Sequence, residues 1–80
     1  MKIRLTSFGI AKDIVGQKEM EIDIETGSSI AQLKDILINR YPDFSALTSL
    51  SFAVDEEYRE DGYTISENQQ VIIIPPVSGG

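Results

Sequence analysis

The sequence predicts an α+β roll, one helix laid across a small mixed sheet, and three stretches of it carry that prediction. Val71 to Ile74 is an unbroken β-branched run, the pattern of a central strand buried on both faces. Ile30, Leu33, Ile36, Leu37 and Tyr41 recur at the spacing of a helix with one apolar stripe. The segments from Lys2 to Phe8 and from Lys18 to Glu25 alternate at period two, as strands with one wet face do. A buried last strand set beside and parallel to the first, with the helix crossing one face, closes the roll.

Taken in order, the first strand, Lys2 to Phe8, puts Ile3 and Leu5 on one face. Ile10 to Val15 reads as a helical turn stopped by Gly16, which takes a left-handed C-terminal conformation without a Cβ penalty. In the second strand Met20, Ile22 and Ile24 alternate with Glu19, Glu21, Asp23 and Glu25. Alternate residues on one strand are about 7 Å apart. With no opposing base, those four carboxylates are a solvated face and not a site. Ser29 followed three residues later by Gln32 is a capping box, so a helix starts there and runs from Ile30 to Tyr41, where Pro42 ends it.

Phe44, Ala46, Leu47 and Leu50 make the connection from Pro42 to Leu50 a packed turn or short helix. Ser51 to Val54 is a strand, the acidic Asp55-Glu56-Glu57 a solvated hairpin turn, and Tyr58 the start of a short paired return. The acidic cluster lacks the alternating ligands and glycine of an EF-hand loop. Ile65 anchors the polar loop that leads to the last strand, Val71 to Ile74.

Eighty residues make one domain, with residues 1–76 as the folded unit and 77–80 as a flexible tail. The chain has neither cysteine nor histidine, which removes disulfides, thiol nucleophiles, histidine bases and the usual zinc sites; no metal is expected. So small a domain leaves little surface for a water-excluding cleft, and an autonomous enzyme is not expected. The net charge of −6 opposes binding to nucleic acid or anionic membranes. No apolar run reaches the roughly 20 residues of a membrane span, and the alternating start is not that of a signal peptide. A cytoplasmic protein with a protein partner is the expectation.

The final residues carry the functional signal. Pro75 and Pro76 cannot donate to a ladder, so pairing stops there and the chain leaves in an extended form. Gly79 and Gly80 then follow with no side chains. Such an end can thread a channel too narrow for other residues and present its carboxylate alone.

The order of elements, the Ile14-Val15-Gly16 segment, the capped Ser29-Ile30 helix and above all Ile74-Pro75-Pro76-Val77-Ser78-Gly79-Gly80 resemble the small subunits of molybdopterin synthase over the whole chain. Those are β-grasp, ubiquitin-like sulfur carriers. The resemblance implies that the Gly80 carboxylate is joined to AMP by a partner ATP-dependent activating enzyme, passing through a transient acyl-adenylate, and is then converted to a thiocarboxylate. No stably bound cofactor is implied. The loaded tail of Val77, Ser78, Gly79 and Gly80 would thread into the synthase large subunit, where the sulfur passes to a pterin precursor. Phe8 matches an apolar position of the family that faces the large subunit, and Ile74 stands where an aromatic also occurs; with Pro75 and Pro76 they make up the implied partner interface. A carrier for thiamine synthesis or another pathway, or a ubiquitin-like protein modifier, would share the fold and the Gly-Gly end. A plain binding module is the third reading.

Overall fold

The computed structural model describes residues 1–47 and 49–76. Its strands are β1 (Lys2–Ser7), β2 (Glu19–Asp23), β3 (Ser51–Val54), β4 (Glu57–Arg59) and β5 (Gln70–Ile74); its helices are α1 (Gly9–Val15) and α2 (Ile30–Arg40), with a 3₁₀ turn over Pro42–Ala46. The five strands form one sheet in the order β2-β1-β5-β3-β4. β1 and β5 run parallel at its centre, and the other neighbouring pairs are antiparallel. This is the mixed β-grasp sheet that the resemblance implies, with its first and last strands side by side.

α2 supplies Ile30, Leu33 and Leu37 to a core whose sheet side is Ile3, Leu5, Ile22, Phe52, Val54, Val71 and Ile73. Its first turn is fully accounted for. The Ser29 hydroxyl accepts from the Gln32 N–H and the Gln32 side chain accepts from the Ser29 N–H, the reciprocal box expected from the spacing. The Ile30 and Ala31 N–H groups donate to the carbonyls of Tyr63 and Asp61 at 3.0 Å each, so the loop before β5 satisfies the donors the box leaves over. At the other end Tyr41 is the C-cap, Pro42 opens the 3₁₀ turn, and the buried Phe44 meets the Tyr41 ring edge-on at 6.1 Å. Ile65 is buried under the long loop, as expected for its anchor.

Three expectations need correction. Strand pairing stops at Ser7, and Phe8 is the N-cap of α1, because Gly9 at φ +55° turns the chain straight into that helix. β5 is central but not buried on both faces: Val71 and Ile73 are buried, whereas Ile72 and Ile74 are only half-buried. One helical layer covers one side of the sheet, and a run of β-branched residues reports apolar character on the second face without reporting what covers it. The second strand is also shorter than its alternating pattern, Glu19–Asp23 instead of Lys18 to Glu25.

Candidate functional site

The apolar face left over by the fold can be traced by register. In the β1–β5 pair Thr6 stands beside Ile72 and Ser7 beside Ile73. Ile72 faces Ala53 on β3, which faces Tyr58 on β4, and Ile74 faces Ser51. Paired residues share a face, so Thr6, Ile72, Ala53 and Tyr58 form one row across four strands on the side away from α2. Phe8 extends the next row. Its backbone is extended, at φ −130° and ψ 160°, so it continues the alternation of β1 and comes out on the face of Thr6, next in register to Ile74.

Phe8 is 47% exposed and Tyr58 72% exposed, values that a core role would not leave. Between them lie the half-buried Ile72 and Ile74 and, at the end of the strand, the half-buried Pro75 and Pro76. The ladder of β5 ends with the Ser51–Ile74 pair. Of the four interface residues expected from the sequence, Phe8 is next in register to Ile74, and Pro75 and Pro76 follow Ile74 along the chain past the end of the ladder. Val77, Ser78, Gly79 and Gly80, expected to thread and to react, lie outside the described residues.

The Lys18 ammonium lies over the Phe8 ring, 5.4 Å from its centroid. Glu19, Glu21, Asp23 and Glu25 are exposed, as a solvated face requires. Among the described residues no three acidic side chains stand close enough to hold a metal ion, and no helix is long and apolar enough to cross a membrane.

Sequence reasoning missed Ile72 and Tyr58 on the face away from α2, with the buried Ala53 in register between them, and it also missed Ile10, which is 47% exposed on α1. The signal for Ile72 was present, since a parallel pairing of the first and last strands sets it beside Thr6. Nothing in the local sequence marks Tyr58, whose place depends on the register of a three-residue strand.

Among the described residues, Phe8, Ile72, Ile74 and Tyr58 form a partly exposed apolar surface where the ladder of β5 ends. The sequence profile of the ThiS family matches residues 5–80. A relative from Dictyostelium discoideum, a molybdopterin synthase sulfur carrier subunit, is 33% identical over 87 residues, covering 99% of this chain and 96% of its own. In fold, the small archaeal modifier protein 1 from Haloferax volcanii superposes with a TM-score of 0.81 at 14% identity, over 95% of this chain and 98% of that one. A chain from the complex of subunits 1 and 2 of the molybdopterin-converting factor of Helicobacter pylori superposes with a TM-score of 0.67 at 17% identity, over 100% of both chains.

Proposed function

Since the chain belongs to the ThiS family, matched over residues 5–80, we propose that it is the sulfur-carrier subunit of a molybdopterin synthase, with its function concentrated on the carboxylate of Gly80. The observation that carries this reading is the full-length likeness to a molybdopterin synthase sulfur carrier subunit. The apolar surface of Phe8, Ile72, Ile74 and Tyr58 around the exit of β5 supports it.

A carboxylate is anionic at neutral pH and a poor electrophile. The activating enzyme, using ATP, joins a Gly80 carboxylate oxygen to the α-phosphate and releases pyrophosphate. A sulfur nucleophile then adds at the acyl carbon, and AMP leaves with that oxygen. The net change is one oxygen replaced by sulfur. The thiocarboxylate is delivered to the large subunit, where its sulfur bonds to a pterin precursor; water then adds at the acyl carbon, the carbon–sulfur bond breaks with sulfur left on the pterin, and the Gly80 carboxylate is restored.

In this scheme the carrier contributes position, not chemistry. Its sheet face docks, and two glycines without Cβ atoms allow the reactive carbon into a narrow channel. The large subunit is the partner in transfer and the activating enzyme the partner in loading. The paired-subunit assembly seen in the Helicobacter pylori complex gives the first of these a counterpart in fold.

The test is mass spectrometry of the intact chain after incubation with activating enzyme, ATP and a sulfur donor. A gain of about 16 Da, the exchange of oxygen for sulfur, is expected at the C-terminal peptide. Conjugates between Gly80 and lysines of other proteins would mean that the chain is a modifier, and an unchanged Gly80 would remove the carrier reading.

A further inference from the structure

Among the described residues β2 is the outermost strand of the sheet, and one side of its backbone has no strand beside it. Hydrogen bonds at its two ends show which residues face that way. The Ile24 N–H donates to the Met1 carbonyl at 2.9 Å, the Met1 ammonium donates to the Ile24 carbonyl at 2.6 Å, and the Ser7 N–H donates to the Lys18 carbonyl at 2.7 Å. In an antiparallel ladder, bonded pairs alternate with unbonded ones. Lys18, Met20, Ile22 and Ile24 therefore turn their backbone groups toward β1, and Glu19, Glu21 and Asp23 turn theirs outward.

The side chains along this edge define what would fit. The carboxylates of Glu19, Glu21 and Asp23 stand on the exposed face, opposite Thr6, Arg4 and Lys2 of β1. Beside them lies a groove of about 330 Å³ lined by Arg4, Thr6, Glu19, Glu21 and Gln70, among others, with room for a long side chain. On the opposite side the edge is apolar: Met20 is half-buried, and its sulfur accepts from the Tyr41 hydroxyl at 3.8 Å. An added strand would place alternate residues against the carboxylates and the residues between them against Met20 and Tyr41.

Charge then selects the occupant. A second copy of this chain pairing edge to edge would bring like charges opposite one another, the device by which edge strands resist self-association. A basic strand reverses the sign of every one of those pairs. We propose that the free edge of β2, from Glu19 to Asp23, captures an extended protein segment with Lys or Arg at alternate positions and apolar residues between, which joins the sheet as a sixth strand. The pairing edge is the outer backbone side of β2, with β1 between it and β5; the carboxylates share the sheet face of Thr6 and Phe8, but edge pairing uses neither the tail nor Phe8, so the proposal stands whether or not the chain carries sulfur.

The probe is a synthetic peptide of about eight residues alternating Lys and Val, blocked at both ends, titrated into the intact chain and followed by amide hydrogen exchange. The amides of Glu19, Glu21 and Asp23 slow on binding, while those of Met20 and Ile22, already bonded to β1, do not change. Glu21→Pro removes one outward N–H and no bond to β1, and it weakens the peptide about tenfold while exchange in α2 is unaltered. The double variant Glu19→Lys/Glu21→Lys, which needs no proline in the strand, loses the Lys–Val peptide and gains a Glu–Val peptide by similar factors. Peptide binding without slowed exchange at the three outward amides would overturn the proposal. So would equal affinity of the charge-swapped variant for the two peptides, or no binding to the intact chain at about millimolar peptide.

Discussion

Val71 and Ile73 point from β5 into the core and are fully buried, while Ile72 and Ile74, their neighbours in the same strand, point the other way and stay half-exposed. The first pair joins the core cluster with residues of α2, β1 and β3; the second stands in register with Thr6, Ala53 and Ser51 on the other face, where Phe8 comes next to Ile74. Both pairs are β-branched, so composition does not distinguish them. The inner pair is required by the fold. The outer pair is not, since Lys2 and Arg4 show that the same face of the sheet is stable with charged residues. An apolar residue kept where the fold does not need it is available to a partner.

That contrast can be broken by matched truncations. Ile73→Ala and Leu33→Ala each open a cavity in a closed core and should lower stability by about 2–5 kcal/mol in denaturant melts. Phe8→Ala should cost less than about 0.5 kcal/mol in the same melts, yet weaken binding to the large subunit by about 2 kcal/mol in isothermal titration, as an anchor residue does. Equal stability losses for Ile73 and Phe8 would erase the distinction between the two faces, and unchanged affinity would remove Phe8 from the interface. Ser29→Ala loses one half of the capping box and should cost about 1 kcal/mol of stability without touching affinity. The smallest effect belongs to Lys34→Ala. Its 3.2 Å bridge to Asp61 lies at the surface, with the two side chains 28% and 65% exposed, and melts should shift by at most about 0.5 kcal/mol.

Most of the fold was legible because its signals are local. Ser29 and Gln32 announce the start of α2 whatever surrounds them, and Pro42 its end. The hairpin between β3 and β4 was readable from its acidic turn, though its geometry was not: Asp55 and Glu56 both take positive φ, 52° and 69°, a conformation usually marked by Asn or Gly. The proposed interface was half legible. Phe8, Ile74 and the two prolines follow from the end of the chain and the family pattern, whereas Ile72, Ala53 and Tyr58 join them only through cross-strand register. Register is set by the whole sheet, and no short window of sequence contains it. The outward backbone groups of β2 were hidden for the same reason, since their parity depends on where the ladder with β1 begins.

The central claim, that the fold holds and one carboxyl group acts, is tested most directly by deleting Gly80 and measuring stability and thiocarboxylation on the same preparation. The deletion lies past the last ladder residue, Ile74, so the denaturation midpoint should match that of the intact chain. The new carboxylate falls short by up to about 3.6 Å of chain, more than near-attack geometry tolerates. The mass gain of about 16 Da seen for the intact chain should therefore be absent. A shortened chain that is thiocarboxylated as fast as the intact one would contradict the account.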